Sequence, residues 1–582
     1  MKKLYYIILL LVAPAFVSAQ QYYLKGEVKD EAGNLLQNVS IRHLASGYLF
    51  YTGVSGGFGI QTSSKADSLL FSFDGFQKQV VLANADVFNT IVLKRSMAKP
   101  QGLGFKLISL TKDFKKEAQK QWFTGDESYA SIVENGFVPA DRYPATGIAL
   151  NIDKASYSNI RRFINAKKQV PPDAVRIEEM MNYFNFDYVE PPAGETFQLN
   201  TLLTSCPWNE ANQLLFARIT SKKVNTEKLP PTHLVFLIDV SASMDMDNRM
   251  PLLKAGFTGL VNNLRAKDSV SVVVYGGITA VMLECVSGGD KKKILDTIDS
   301  LQTGGSTPGE SGIRLAYNIA RKHFIREGNN RIVLATDGDF NVGVRRESDL
   351  EEMIVAERES GIYLTCLGVG MGNYKDSKIQ TLAQKGNGNF AYIDNYAEAE
   401  KVLIKEFTQT LYSVADDTYL NVHFDPAYVK EYRVIGFDNK AGAIKDTLAT
   451  MEGGEIGSTY SSLIAFEIIP VTAVKKENAQ PVRFALTYTT PEKKVEERTV
   501  VPNLNFQAFS TIPKPYQFAA SVIMFGSLLK ESKFAKTMTW DKALMIAQQS
   551  ADQSNPSQKE FEVLVKQAKE IYGKKRKKVF IR

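Results

Sequence analysis

Cysteine and histidine are scarce in this chain, which excludes several ways of building and using a protein. Three cysteines and four histidines occur among 582 residues. Three cysteines cannot supply a disulfide framework for so long a chain, so we expect its stability to come from packed cores. The histidines are dispersed, which argues against a zinc site and against a histidine-based hydrolytic site.

Two of the cysteines, Cys285 and Cys366, lie in apolar runs that are typical of strands. A free cysteine in such a run usually packs as a small hydrophobic side chain. We therefore predict two buried thiols rather than a redox pair.

Long hydrophobic runs are absent except at the start of the chain. Residues 1–20 read MKKLYYIILLLVAPAFVSAQ, with two lysines, an apolar stretch and small residues before Ala19. This order is typical of a secretory signal peptide, so we predict that residues 1–19 are removed. A retained membrane anchor is the alternative, although the stretch is short for a span. We expect an exported protein of the periplasm, the cell envelope or the outer surface.

The excess of positive charge is small, with a formal net charge of +7. Much of it lies in the basic tail, residues 574–578. A solvated helix end is one interpretation of this tail, and a peripheral contact with anionic lipid or a cell-surface polymer is the other. No aromatic and basic module accompanies it, so nucleic acid is not an expected partner.

The length of the chain and its pattern of predicted helices and strands indicate several domains of α/β and β type. Short alternating strands and turns indicate a β-sandwich at 22–95, and a polar, lysine-rich linker follows at 96–126. Helices alternate with apolar strands at 231–413, which predicts a doubly wound, Rossmann-like, mostly parallel sheet. The flanking regions, 127–230 and 414–582, combine strands with helices, and the second ends in the basic tail.

The clearest chemical signal follows the apolar run at 234–238. Asp239, Ser241 and Ser243 come directly after this run, at alternate positions. Five consecutive apolar residues fit a strand that is covered on both faces, and its carboxyl end is where open α/β sheets place ligands. One carboxylate and two hydroxyls suit a hard cation such as Mg²⁺.

Two later residues are candidate partners for this triplet, Thr307 and Asp337. Each follows a predicted element and would lie on a loop at the same sheet edge. Each also has a purely structural interpretation. Thr307 begins a good helix-capping sequence, Thr-Pro-Gly-Glu, and Asp337-Gly338 is a common turn pair.

Together, Asp239, Ser241, Ser243, Thr307 and Asp337 resemble the metal-ion-dependent adhesion site of von Willebrand factor type A (vWA) domains. The resemblance implies a divalent cation, with Mg²⁺ preferred and Mn²⁺ or Ca²⁺ as alternatives. It also implies an open coordination position that a carboxylate from a protein partner completes.

The regions around the metal-site motif carry further resemblances. The stretch GEVKDEAGNLLQNVSI resembles a carboxypeptidase regulatory-like domain. Cys206-Pro207-Trp208-Asn209 and the stretch DPAYVKEYRVIGF resemble the N-terminal extension and the C-terminal domain of one group of exported bacterial vWA proteins. Because strands precede and follow the α/β domain, we predict that 196–220 pairs with strands of 416–510. The α/β domain would then be inserted into a β-sandwich platform.

Charged residues on the two short helices of the extension could suggest acid–base chemistry. We predict instead that they form a solvated face or local pairs, as charges on amphipathic helices usually do. These residues are Arg161, Arg162, Arg176, Glu178 and Glu179.

The pattern as a whole predicts an exported, metal-dependent adhesion or assembly protein rather than an enzyme. One alternative is a structural envelope protein that is indifferent to metal. Another is a metal-assisted hydrolase, but it lacks a visible second catalytic group. His233 would lie at the opposite end of the strand from the motif, and loop turns explain Asp245, Asp247 and Asp339.

Overall fold

The computed structural model describes residues 22–94 and 127–573, apart from positions 32, 38, 46–48, 54, 74–75, 187, 226, 306–308, 339–346, 373, 407–408, 410, 439–452, 472–480 and 493. The predicted signal peptide (1–19), the linker (96–126), Thr307 and the basic tail (574–578) lie outside the described residues. The chain forms two compact units, Met1–Leu103 and Gly104–Arg582.

The first unit is a sandwich of two sheets. Its strands are β1 (Tyr22–Asp30), β2 (Ser40–His43), β3 (Leu49–Tyr51), β4 (Gly57–Thr62), β5 (Ala66–Ser72), β6 (Gln79–Asn84) and β7 (Asn89–Leu93). The sheets have the orders β4-β1-β7 and β3-β2-β5-β6. Alternate residues of each sheet, such as Leu24 and Ile60 in one and Ile41 and Leu69 in the other, share one apolar core. This is the β-sandwich that the strand pattern predicts.

The second unit contains three layers of structure that are interleaved along the chain. Its strands are β8 (Val138–Pro139), β9 (Ala145–Ala149), β10 (Phe197–Ser205), β11 (Gln213–Ser221), β12 (Thr232–Asp239), β13 (Ser269–Tyr275), β14 (Ala280–Ser287), β15 (Asn329–Thr336), β16 (Ile362–Val369), β17 (Phe390–Ile393), β18 (Ser413–Phe424), β19 (Val429–Ile435), β20 (Gly454–Gly457), β21 (Ser461–Pro470), β22 (Val482–Thr489), β23 (Val495–Val500) and β24 (Phe506–Gln507).

The helices of this unit are α1 (Ala155–Asn165), α2 (Ile177–Tyr183), α3 (Met250–Asn263), α4 (Lys291–Asp299), α5 (Gly309–Lys322), α6 (Glu347–Glu359), α7 (Asp376–Lys385), α8 (Tyr396–Glu400), α9 (Lys514–Leu529), α10 (Trp540–Ser550) and α11 (Pro556–Gly573). Helix α8 continues into a π-helical turn, Lys401–Lys405. Within the described residues, no helix combines the length and the apolar character that crossing a bilayer requires.

The α/β domain is organised around β12, whose eight residues are all buried. Its sheet has the order β14-β13-β12-β15-β16-β17, and every neighbouring pair is parallel except β13 with β14. Successive side chains of a strand point to opposite faces. Phe236 therefore packs with Phe257 of α3 on one face, while Leu237 packs with Ile313 of α5 on the other. Helices on both faces explain the uninterrupted apolar run of this strand.

A β-sandwich platform is built from strands on both sides of this domain in the sequence. Strand β11 pairs antiparallel with β21 from Gln213 opposite Ile468 to Thr220 opposite Ser461, and β10 pairs with β24. The six-stranded sheet β24-β10-β11-β21-β19-β8 shares a core with a second sheet, β20-β18-β22-β23, to which β9 adds. The predicted pairing of 196–220 with strands of 416–510 is confirmed. The α/β domain is an insertion between β11 and β18.

A third layer is helical, and it packs α1 and α2 with the C-terminal helices α9, α10 and α11. Helix α9 is almost wholly buried, with Phe518 and Phe525 near its centre. Phe561 packs edge-on against both of these rings, with ring centroids 5.2 Å apart, and Phe184 packs edge-on against Phe518 and Phe561 at 5.1 and 5.6 Å. Aromatic edge-to-face packing of this kind stabilises a core beyond simple area burial.

The prediction of a solvated face for the charged residues of α1 and α2 is wrong. Arg161, Arg162, Arg176 and Glu179 are buried, and Glu178 is half-buried. Arg176 and Glu179 do form the expected local pair, three residues apart. The arginines also reach distant acidic residues, because the polar faces of these helices meet the α/β domain rather than water. Helical periodicity does not distinguish those two surroundings.

We call this network the ionic junction. Arg161 donates to Asp394 (2.8 Å) and Glu398 (2.7 Å), and Arg176 donates to Asp376 (2.6 Å). Further along, Arg162 binds Glu127, and Lys154 binds Glu406 at 2.8 Å. The junction consists of Lys154, Arg161, Arg162 and Arg176 with Glu127, Glu179, Asp376, Asp394, Glu398 and Glu406.

The prediction of two buried thiols is half right. Cys366 of β16 is buried, and burial raises the pKa of its thiol. Cys285 of β14 is exposed. Strand β14 is the antiparallel edge of the sheet and its register with β13 shifts. Cys285 has a positive φ of 47° at this irregularity, so alternation breaks and its side chain turns outward.

Candidate metal centre

Asp239 is placed by the three central strands of the α/β sheet. It is the last residue of β12 and is 1% exposed. The hydroxyls of Tyr275, at the end of β13, and Thr336, at the end of β15, donate to its Oδ2 at 3.2 and 3.1 Å. Flanking strands therefore hold this carboxylate from both sides.

The two serines of the motif converge beside Asp239. The Ser241 amide donates to Asp239 Oδ1 at 2.9 Å, which turns the chain directly after the strand. A single 3₁₀ turn, Ala242–Met244, then brings Ser243 back, so that the two Oγ atoms lie 3.0 Å apart. The sequence spacing thus creates a cluster of one carboxylate and two hydroxyls.

Asp337 joins this cluster from the next strand. It follows β15 directly and is 1% exposed. Burial raises the pKa of Asp239 to about 6, and the negative charge of Asp337 adds to the rise, while hydrogen bonds from Ser241 and Thr336 oppose it. Arg249 Nη1 donates both to Asp337 Oδ2 and to the Ser243 carbonyl, which places Asp337 beside the loop that carries the two serines.

Thr307 lies outside the described residues, but the residues just before it are hydrogen-bonded to the loop that carries Ser241 and Ser243. The Gly304 amide donates to Val240 O at 2.7 Å, and the Ala242 amide donates to Gly305 O at 3.1 Å. Helix α5 begins at Gly309, two residues after Thr307. A Thr307 ligand stays a prediction.

The glycines at 276 and 277 allow these loops to approach so closely. Gly276 has a φ of +132°, and a Cβ there would lie 2.2 Å from the Ser241 amide nitrogen. A Cβ at Gly277 would lie 2.6 Å from Gly304 O. A side chain at either position would push the loops apart, so glycine is needed at both.

Arg249 is a component of the site that the sequence pattern did not indicate. Its side chain is buried, and Nη1 donates to Asp337 Oδ2 at 2.6 Å and to the Ser243 carbonyl. Its Nη2 donates to Met371 O at 2.9 Å. The guanidinium therefore links three loops of the sheet edge. The available signal was an arginine directly before a Met-Pro helix start, and that signal says nothing about where the arginine reaches.

The loop after β16 connects the site to the ionic junction. The Gly372 amide donates to Glu127 Oε1 at 2.7 Å, and the Ser128 amide donates to Tyr374 O at 3.0 Å. Burial acts to raise the pKa of Glu127, but the hydrogen bonds and charge of Arg162 outweigh it and hold that pKa below its usual range. The N-terminal extension is therefore hydrogen-bonded to the loop that contains Met371, whose carbonyl oxygen accepts a hydrogen bond from Arg249.

The donor set fits a hard divalent cation. Asp239, Ser241, Ser243 and Asp337 offer only oxygen atoms, the ligands that Mg²⁺ prefers. The described part of the chain contains no cluster of three or more His, Cys, Asp or Glu side chains suited to a metal, so hydroxyls would have to complete any coordination shell. The two buried carboxylates, Asp239 and Asp337, make the site attractive to a cation, and among the described residues Arg249 contributes a positive charge beside Asp337.

His233 has no access to this chemistry. It lies at the start of β12, the end opposite to Asp239, as predicted. Its ring nitrogens lie 3.1 Å from His323 O and 3.0 Å from Ser271 Oγ, and burial lowers its pKa. Its role is packing and hydrogen bonding at the far edge of the sheet.

Comparison with known families supports the resemblance and the C-terminal assignment. Residues 233–407 match the family described as von Willebrand factor type A domain, and residues 123–216 match one described as von Willebrand factor. Residues 409–571 match a family described as the C-terminal part of the uncharacterized protein YfbK.

Individual proteins show the same relationship. The chain is 35% identical over 455 residues to the uncharacterized protein YfbK of Escherichia coli (strain K12), across 73% of this chain and 78% of that protein. It is 26% identical over 241 residues to the magnesium-chelatase 67 kDa subunit of Chlorobaculum parvum, across 36% of this chain and 38% of that subunit. The solved von Willebrand factor type A protein from Catenulispora acidiphila is 14% identical, across 63% of this chain and 88% of that chain, with a TM-score of 0.38. The similarity to YfbK, together with the family matches, shows that the chain belongs to the YfbK family of vWA domain proteins.

Proposed function

We propose that this protein is an exported adhesion or assembly protein that uses a Mg²⁺ ion to bind a protein partner. Asp239, Ser241 and Ser243 hold the ion, and Thr307 and Asp337 act as direct or water-bridged ligands. Mn²⁺ or Ca²⁺ are the alternative ions. Bound to these residues, the ion supplies an open coordination position for a carboxylate of the partner.

The single observation that carries this proposal is the convergence of oxygen donors at one buried sheet edge. The Ser241 and Ser243 hydroxyls lie 3.0 Å apart beside Asp239, and the charge of Asp337 acts on the same carboxylate. Membership of the vWA family, whose domains are often metal-dependent interaction modules, supports the same interpretation.

The proposed location follows from the amino-terminal sequence. Removal of residues 1–19 would release a protein into the periplasm or onto the cell envelope or outer surface. The basic tail at 574–578 adds a proposed peripheral contact with anionic lipid. A metal-assisted hydrolase is the less favoured alternative.

Metal binding by the mature chain is the first test. Isothermal titration with MgCl₂ should show one site in the wild type and none in Asp239→Ala. Asp296→Ala is the matched control, because this exposed aspartate pairs only locally with Lys292, four residues away on α4. Equal Mg²⁺ binding by wild type and Asp239→Ala would refute the proposed site.

Partner binding is the second test. A pull-down from envelope extract with Mg²⁺ should retain a partner that is lost in EDTA and lost with Asp239→Ala. Replacement of acidic residues in the recovered partner should then abolish retention. Retention of the same partners under all three conditions would show that the metal site is not the contact.

A metal-indifferent structural role is the second candidate, and one observation favours it. Arg249 forms a buried ion pair with Asp337. In a site without a metal ion, this guanidinium would supply the positive charge that balances the carboxylate. This role predicts the same thermal unfolding temperature in Mg²⁺ and in EDTA. The metal-binding role predicts a higher temperature in Mg²⁺, because a ligand that binds only the folded state stabilises it.

A further inference from the structure

Three large apolar side chains around the candidate metal centre are exposed. Met246, Ile278 and Met371 are 54%, 63% and 42% exposed, and each belongs to a different loop. Single exposed apolar residues are common, but several on converging loops mark an interaction surface. We call these three residues the apolar rim.

Two members of the rim are tied to the site through Arg249. The Arg249 amide donates to Met246 O at 2.9 Å, and Arg249 Nη2 donates to Met371 O at 2.9 Å. The same guanidinium binds Asp337 and the Ser243 carbonyl. Both methionines therefore stand on loops whose backbones are fixed to the metal-site residues.

Ile278 approaches the site from the loop between β13 and β14. Two residues before it, Gly276 packs against the Ser241 backbone. Directly after it, Thr279 Oγ1 lies 2.7 Å from Ser311 Oγ, on the first turn of α5. Ile278 is thus held between the motif loop and the start of the helix that follows Thr307.

Folding alone does not explain these side chains. The contacts that fix these loops are made by backbone atoms and by the polar side chains of Arg249, Thr279 and Ser311, while the apolar side chains remain open to water. Exposure of three such side chains gains nothing for the folded state, because the hydrophobic effect rewards only burial. A bound partner would bury them.

The charges beside the rim restrict the chemistry of that partner. Asp245 and Asp247 are exposed on either side of Met246. A partner carrying several acidic residues would place some of them against these carboxylates, and like charges at an interface are unfavourable. One carboxylate, directed at the ion, meets no such penalty.

We infer, on the basis of the proposed function, that the apolar rim selects a partner loop with a single carboxylate flanked by aliphatic or aromatic side chains. The carboxylate binds at the ion, and the flanking side chains cover Met246, Ile278 and Met371. Methionine suits this role because its flexible thioether adapts to different shapes. Covering the rim also excludes water from the contact between ion and carboxylate.

The test is selection from a phage-displayed library of cyclic peptides with a central aspartate and randomised flanks. The mature wild-type chain should select, in Mg²⁺ but not in EDTA, peptides with aliphatic or aromatic neighbours and no second acidic residue. The variant M246S/I278S/M371S should bind the best peptide on the order of tenfold more weakly, as expected when about 60 Å² of apolar contact is lost.

Two variants serve as comparisons. M545S/V563S replaces equally exposed apolar residues of α10 and α11, which are 47% and 50% exposed, and should bind the peptide as the wild type does. D245N/D247N should accept a second acidic residue in the selected peptides. Calorimetry should show unchanged Mg²⁺ binding in the two serine variants, M246S/I278S/M371S and M545S/V563S.

The outcomes separate this inference from the function on which it rests. Selected peptides with random flanks, or equal binding by the rim variant, would overturn the inference while Mg²⁺ binding stands. Mg²⁺ binding without any Mg²⁺-dependent peptide selection would overturn it too. Absence of Mg²⁺ binding in the wild type would refute the proposed function itself.

Discussion

The ionic junction and the candidate metal centre both bury carboxylates, but they neutralise them differently. In the junction, Arg161 donates to both Asp394 and Glu398, and its pKa is raised by these partners against the effect of burial. In the metal centre, Asp239 accepts hydrogen bonds from neutral groups, and Arg249 pairs with Asp337 alone of the two carboxylates.

This difference separates a structural ionic network from a binding site. Charged partners in the junction satisfy one another, so the network joins the extension to the α/β domain without a ligand. Burial raises the pKa of Asp239 in the metal centre, as it raises that of Asp394 in the junction, but Arg161 opposes the rise at Asp394 whereas Asp337 adds to the rise at Asp239. A cation would relieve both effects, which is why perturbed and incompletely neutralised carboxylates mark candidate functional sites.

The largest expected effect comes from breaking the junction. Arg161→Ala leaves Asp394 and Glu398 buried without their guanidinium, which should lower the free energy of unfolding by about 3–5 kcal/mol. Urea unfolding of the mature chain measures this loss, with and without Mg²⁺. Lys292→Ala, which removes an exposed pair, should change the value by less than about 1 kcal/mol. Equal effects of the two variants would show that the junction is not a stabilising network.

The junction should also give the protein a defined acid sensitivity. Burial acts to raise the pKa of Glu406, but Lys154 and Lys401 outweigh it and lower that pKa to about 2. A carboxyl whose folded-state pKa is depressed contributes stability above its unfolded pKa, near 4.5, and loses it as the pH falls towards 2. Glu406→Gln should remove about 2–3 kcal/mol at neutral pH and flatten the stability curve in this window. An unchanged curve in acid would contradict the assignment.

In the metal centre, a neutral substitution should have the opposite sign in the absence of metal. Asp239→Asn removes the repulsion from Asp337 and keeps a similar shape. We therefore expect the free energy of unfolding in EDTA to rise by about 1–2 kcal/mol. The same variant should lose the stabilisation that Mg²⁺ gives the wild type. Destabilisation in EDTA would mean that Asp239 is a structural group like those of the junction.

The smallest expected effect tests Arg249, the cation that pairs with Asp337 among the described residues. Arg249→Gln retains hydrogen-bond donors near Ser243 and Met371 but removes the positive charge beside Asp337. Since that charge repels a metal ion, Mg²⁺ should bind roughly threefold to tenfold more tightly. Calorimetry measures the change, and Arg321→Gln, a half-exposed arginine of α5, is the control. Weaker binding would show that Arg249 chiefly positions Asp337.

Local patterns predicted a large part of the structure. The apolar run at 234–238 predicted a doubly covered strand, and the alternation of helices and strands predicted the mostly parallel sheet. The polar triplet predicted a turn that gathers Asp239, Ser241 and Ser243, because neighbours two residues apart need only one turn to meet. These predictions depend on backbone periodicity, which a short segment already encodes.

The wrong predictions concern side chains whose surroundings come from distant segments. Arg161 and Arg176 have the spacing of a solvated helix face, yet the packing of the extension covers them. Cys285 lies in an apolar run, yet a register shift at the sheet edge exposes it. The residue pattern of a helix or strand shows which of its faces is polar, but it does not show whether water or another segment of the chain covers that face.

Local residue patterns specify the elements of this protein and place a carboxylate and two hydroxyls at the end of β12. Packing between distant segments brings Arg249 to Asp337, 88 residues away, and Arg161 to Glu398, 237 residues away. Local elements form from interactions within a few residues. Pairing across such distances depends on how whole layers pack, and the charge balance of each site follows from that packing.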